Sequence, residues 1–316
     1  MPDIFVQVYD PVAGSVVLSA LTAALPLVVL ALLLAVLKMA PWRSAIFGAG
    51  ASFVLAWLVW GMPLPLALAA ASHGMAFGLW PISWVVVSAV FFYHLSVESG
   101  DFDVIRRSLT RLTGDTRIQV LLVAFCFGAL IEGIAGFGAP VAITASMLAG
   151  LGFEPVVAAV LALIANTAPV AFGSIGIPII TLGGLLGPIL DRDTQATTAA
   201  LSAMVGRQLP LFSLIVPAYL IVLYAGWTRM VEVLPAVLAA GVAFAVGQFA
   251  VSNFVGPELT DILAALTSLA AVVLLLRVWR PKADYAAGTR ANPAGAATGQ
   301  AIDSPARVVR AYGTYS

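Results

Sequence analysis

From Ser44 to Val97 the chain contains no Asp, Glu, Lys or Arg, and from Pro155 to Leu190 it contains none either. Each run exceeds the roughly 20 apolar residues that an α-helix needs to cross the hydrocarbon core of a bilayer. The whole composition agrees. The chain of 316 residues is 61% hydrophobic and 9% charged, where a soluble domain carries about 25% charged residues. The expected fold class is all-α, a polytopic transmembrane helical bundle. The formal net charge of zero implies no bulk attraction to nucleic acid. The lone cysteine, Cys126, excludes an intrachain disulfide, and Cys/His metal spacings are absent. The N-terminus lacks the basic region of a cleaved signal peptide, so the first apolar run, 12–37, reads as a retained span.

Further spans are expected at 44–60, 81–97, 208–227, 233–251 and 260–277. Segment 63–80 is apolar but carries Pro63, Pro65, Gly74 and Gly78, and reads as a short or re-entrant piece running into the next helix. In "FDVIRRSLTRLTGDTR", apolar residues recur at helical spacing among Arg106, Arg107 and Arg111, which predicts an amphipathic helix on the membrane surface. An anionic-substrate funnel is the functional alternative there. Lys38, Arg43 and the arginines of 98–117 place these loops on the cytoplasmic side and the N-terminus outside. Trp42, Trp60, Trp80, Trp227 and Trp279 stand at expected span ends, as interfacial tryptophans do. Residues 1–280 are thus the transmembrane portion, with about eight membrane segments. Residues 281–316 are small, polar and Gly/Pro-containing, and read as a flexible cytoplasmic tail.

Region 118–207 breaks the pattern. Pro140, Pro155, Pro169, Pro178 and Pro188 cut an apolar stretch into pieces, several of them shorter than a span. Broken or re-entrant helices are therefore expected around 118–207. They survive at membrane depth only where buried in protein or lining a watery cavity, and they point to a transporter's binding site. "APVA" occurs twice, at 139–142 and 168–171, each time at a break.

Within this region Glu132 is the candidate carrier of chemistry. An acidic residue inside a span costs on the order of 2.5–3.5 kcal/mol and is by default a functional hypothesis. A carboxyl that gains and loses a proton can couple proton movement to transport. The structural alternative is a carboxyl bonded to neighbouring amides or paired with an arginine. If the helix continues, Gly128, Glu132 and Gly136 share one face at i, i+4 and i+8. In "GIAGFGAP", Gly133, Gly136 and Gly138 permit unusual dihedrals, Phe137 lies among them, and Pro140 restarts a helix. Free N–H groups at such a restart bind anions, although close helix packing also selects glycine. Asn166 and Thr167 at the break before Pro169 suit a carboxylate or hydroxyl ligand, or equally interhelical bonds. Arg207 and Gln208, expected just before a span, suit a substrate carboxylate or a snorkelling anchor. His73 and His94 read as packed or interfacial histidines. No nucleophile–base constellation or phosphate loop appears, so no enzyme is expected.

"FCFGALIEGIAGFGAPVAITASMLAGLGFEP", "IANTAPVAFGSIGIPI" and "MVGRQLP" resemble, in order, the L-lactate permease family of bacterial secondary transporters. "YDPVAGSVVLSAL", "GLWPISW", "FDVIRRSL" and "SNFVGPELTDI" extend the resemblance from about residue 9 to about 280. It implies proton-coupled uptake of lactate, and often glycolate, across the bacterial cytoplasmic membrane. The partners it implies are a small carboxylate substrate and the lipid bilayer. It implies no cofactor beyond the proton as coupling ion. Glu132 is then the proton-coupling residue. Gly133, Gly136, Phe137, Gly138, Asn166, Thr167, Arg207 and Gln208 are the substrate-binding candidates. Family members continue into a second membrane half, so the chain is expected to be the N-terminal portion of a carrier. The alternatives are a non-transporting membrane scaffold and a passive carboxylate channel.

Overall fold

The computed structural model describes residues 5, 7–84, 87–88, 91, 95, 98–100, 104, 112–136, 138–282 and 284–285. The predicted surface helix at 102–112 and His94 lie largely or wholly outside them, as does Phe137. The described residues form helices and connecting turns, with no strand among them. The chain divides into two units, residues 1–84 and 85–316. Among the described residues, six helices are long and apolar enough to cross a membrane. The protein is a multi-pass, all-α membrane bundle.

The first unit holds α1 (Val16–Ala35), α2 (Pro41–Leu58) and α3 (Leu64–Phe77). Ser15 caps α1, its Oγ accepting from Leu18 N at 3.4 Å. Pro41 opens α2, where its missing N–H costs nothing. Helices α1 and α2 pack on each other, with Gly48 of α2 facing Leu30 of α1. As predicted, the 63–80 piece continues onward: Pro63 and Pro65 start α3, and a π-helical turn, Gly78–Ile82, prolongs it.

The second unit is built around α4, Thr116–Ile134, most of which is buried. Its middle, Leu121–Phe127, winds as a π-helix, all seven residues buried. Then come α5 (Ala139–Gly150), α6 (Pro155–Ala165), a 3₁₀ turn (Val170–Phe172) and α7 (Gly173–Ile189). The unit closes with α8 (Thr194–Ala225), α9 (Trp227–Glu232), α10 (Leu234–Phe254) and α11 (Thr260–Val278). Helix α10 lies between α8 and α11, packing on both. Small residues sit at these crossings, as membrane helices require: Gly241 faces the Leu214 carbonyl and Gly247 faces Ala264. Ser202 Oγ donates to Ser252 O at 2.8 Å, and Ser268 Oγ to Ala240 O at 2.9 Å. The Phe125 and Phe244 rings, 5.2 Å apart, join α4 to α10.

Two expectations change. The helix expected at 208–227 begins at Thr194, because Asp193 caps it there with a 2.8 Å bond from Ala196 N and Pro210 and Pro217 do not interrupt it. Arg207 and Gln208 are therefore mid-helix rather than at a span edge. Pro188 lies inside α7 and does not cut it, whereas Pro140 and Pro155 begin helices.

One end of α4 is tied by charge. Asp115 caps it, accepting from Arg117 N at 2.9 Å. The buried Arg117 guanidinium donates to both Asp115 oxygens, to Glu232 and to the Arg229 carbonyl. Its charge is thus shared between two carboxylates, as a buried guanidinium needs. The same knot holds Tyr285: its carbonyl accepts from Thr116 N at 2.9 Å and Thr116 Oγ1 at 2.7 Å, and its ring lies under Arg117 and Arg229.

Glu232, at the end of α9, is held below its ordinary carboxyl range, chiefly by the bond from Arg117 and then by Arg229. A depressed carboxyl stabilises the fold above its unfolded value, near 4.5, and loses that stability as pH falls through the lower folded value. Glu232→Gln should therefore lower the melting temperature of the lipid-reconstituted chain at pH 7. It should also flatten the loss of stability below about pH 4.5. Thermal unfolding across pH measures both.

Candidate functional site

Helix α4 ends two residues after Glu132, at Ile134. Gly136 then takes φ +56° and Gly138 φ +87°, left-handed values that favour glycine. Pro140 follows in the first turn of α5. Gly136 thus lies beyond the helix, not on one face with Gly128 and Glu132; Gly128 instead faces Thr144 of α5. This first break meets a second. Asn166 caps α6, Val170–Phe172 form a 3₁₀ turn, and Ser174, Ile175 and Gly176 are all left-handed before α7 runs on. Such a conformation in a β-branched isoleucine is a strained outlier of the kind that clusters at functional sites.

The two breaks are bonded together. Ser174 Oγ donates to Ala135 O at 2.7 Å. A Cβ on Gly136 would lie 3.1 Å from Ser174 N, so the close approach itself requires glycine. Gly173 sits directly against the Glu132 carboxylate, and a Cβ there would overlap Oε1. A third element closes the site. A Cβ on Gly133 would lie 2.9 Å from Ile262 N and 3.1 Å from Asp261 Cβ, which puts the start of α11 against the end of α4. Gln248 of α10 donates to Ala168 O at 3.3 Å and accepts from Ser213 Oγ at 2.8 Å, tying the second break to α8 and α10.

Glu132 is 4% exposed and Asp261 0%. The Asn166 side chain faces Glu132, and the Gln248 amide lies beside Asp261. Yet Glu132 Oε2, Asn166 Oδ1 and both oxygens of Asp261 have no hydrogen-bond partner. Buried acceptors without donors are costly. Such a cluster suits a proton or a ligand that brings its own donors.

The structure brings together Glu132, Gly133, Gly136 and Asn166. Gly138 is exposed, with open space where a Cβ would be; only its φ demands glycine. Thr167 is exposed, and its hydroxyl donates locally to Ile164 O at 2.7 Å. Arg207 and Gln208 are exposed on α8, and Arg207 Nε donates to Asn253 Oδ1 at 3.0 Å. Asp261, Gln248 and Ser174 escape the sequence reading. Asp261 follows "GPELT", where an acid in the first turn of a helix is ordinary capping chemistry.

The chain was compared with known proteins. A family model described as L-lactate permease matches residues 19–315. The L-lactate permease of Bacillus subtilis is 47% identical over 280 residues, covering 88% of this chain and 48% of that protein. Glycolate permease GlcA of Escherichia coli is 48% identical over 290 residues, covering 92% and 50%. The L-lactate permease of Escherichia coli K12 is 46% identical over 275 residues, covering 87% and 48%. The chain spans about half the length of the curated relatives it matches. No solved structure matches it.

The packing at Gly133 gives a direct test. Gly133→Ala forces a Cβ into the backbone of α11 and should cost about 1–3 kcal/mol, the range for overpacking. Gly74→Ala, a mid-helix glycine facing open space, should be neutral or gain up to about 1 kcal/mol. Denaturation of the two variants in the same lipid measures the contrast.

Proposed function

The chain belongs to the L-lactate permease family, and from that premise we propose that it supplies the proton- and substrate-handling portion of a proton-coupled carrier. The substrates are L-lactate and related small 2-hydroxy monocarboxylates such as glycolate. The carrier works in the bacterial cytoplasmic membrane, with the N-terminus outside. The observation that carries the reading is Glu132, a buried carboxyl with an unpartnered oxygen, lodged between two bonded helix breaks. A break at membrane depth frees N–H groups that a substrate carboxylate can use. Gly136, Phe137 and Gly138 of the first break and Asn166 and Thr167 of the second are the candidate contacts. Gly133 is a packing residue that lets α11 approach. Arg207 and Gln208 would engage substrate from the exposed side of α8.

Proton and substrate are coupled when the charge on Glu132 changes the affinity of the adjoining breaks. A protonated Glu132 removes a negative charge beside the incoming carboxylate, so both are admitted together. Its release on the cytoplasmic side restores the repulsion and expels the substrate.

In the complete carrier, Glu132→Gln should abolish pH-driven accumulation of labelled lactate. Uptake that keeps its wild-type pH dependence would overturn the role of Glu132. Reconstitution of the 316-residue chain alone separates the readings: lactate-driven proton flux supports a carrier, lactate flux indifferent to the proton gradient a channel, and silence a scaffold.

A further inference from the structure

Asp261 stands at the start of α11, wholly buried, and neither carboxylate oxygen has a hydrogen-bond partner. Across the Gly133 contact it faces the end of α4, where Glu132 is the adjacent residue. We infer that Glu132 and Asp261 form one proton site, two carboxyls holding a single proton between them, with Asp261 as its second member. The inference deepens the reading of Glu132 as the coupling residue and rests on it.

Among the described residues, no cationic side chain lies beside either carboxyl. The side chains acting on Asp261 are Glu132 and Gln248, and the one acting on Glu132 is Asn166. Helices α7 and α10, which both pack on α11, carry no titratable residue. Cys126 of α4 meets α11 at Ser268, about two turns away. Glu258, in the loop before α11, is exposed. Two carboxylates in a dry site without a cation do not both ionise. One N–H of the Gln248 amide goes to Ala168 O, its Oε1 accepts from Ser213 Oγ, and Ser174 Oγ donates its proton to Ala135 O.

One proton satisfies this arrangement. One carboxyl holds the proton while the other stays ionised, and the pair carries one negative charge. Transfer within the pair breaks one O–H bond and forms another, with no change in net charge. Gly173 at the start of α7 rests on Glu132, and Gly133 at the end of α4 rests on Asp261. The proton therefore sits where three elements meet, and its loss alters the contact of all three.

The test reads protonation rather than transport. The full chain is placed in lipid nanodiscs in potassium buffer near neutral pH. Infrared difference spectroscopy then follows the C=O stretch of protonated carboxyls. The wild type should show one such band, and both Glu132→Gln and Asp261→Asn should lose it, because the remaining carboxyl no longer meets a second negative charge and ionises. A band lost in only one variant, or two bands each lost singly, would overturn the shared site. Asp261→Asn breaks no hydrogen bond of the fold, and circular dichroism checks that both variants keep their helices. Should Glu132→Gln fail to fold, carboxyl-¹³C aspartate in the wild type decides the matter. A shared proton shifts the band in part, and no shift or a complete shift overturns it. A chain that shows the shared band but moves no lactate would fail the transport reading alone.

Discussion

Hydrocarbon offers no hydrogen-bond partner, so every interruption of a helix at membrane depth must be satisfied by the protein itself. The second unit is arranged around that requirement. The carbonyl freed at Ala135 by the end of α4 takes the hydroxyl of Ser174 from the other break. The carbonyl freed at Ala168 takes the Gln248 amide. Each interruption is thus stabilised by a residue distant in sequence, and neither break stands without the other elements in place. Glycine makes this possible, because only a residue without Cβ admits the contacts at Gly133, Gly136 and Gly173.

Two kinds of polar group are buried, and they are treated differently. At the start of α4 the charges are paired: buried Asp115 and Arg117 satisfy each other, exposed Glu232 takes another arm of the guanidinium, and Tyr285 docks on the same knot. Further along the same helix Glu132, and at the start of α11 Asp261, are left with unpartnered oxygens. A buried ion pair fixes geometry, whereas unpartnered buried acceptors keep a site reactive toward a proton or a donor-bearing ligand. Helix α4 links the two, with a π-helical middle of the kind found often at functional sites.

Much of this was legible in the residues. The uncharged runs and the low share of charged residues pointed to the membrane class. The clustered prolines and glycines marked both breaks, and Glu132 stood out because a lone acid in an oily stretch needs a reason. Where the reading went astray, the competing physics is clear. Pro188 was taken as a cut, but it rides within α7, and the helix expected from 208 starts earlier because Asp193 caps it. The shared face of Gly128, Glu132 and Gly136 assumed an unbroken helix, and the left-handed Gly136 ended it.

The sequence by itself determined that this chain crosses a membrane as helices, that its helices are interrupted in 118–207, and that Glu132 lies at one interruption. These follow from local quantities: hydropathy over a span, dihedral preferences of glycine and proline, and the cost of a charge in hydrocarbon. Only the tertiary structure decided that a buried Asp261 lies against Gly133, the neighbour of Glu132, and that Ser174 and Gln248 close the breaks. Those are contacts between helices far apart in the chain. They depend on which elements cross at Gly133 and Gly173, and one residue's local pattern carries no record of the helix packed against it.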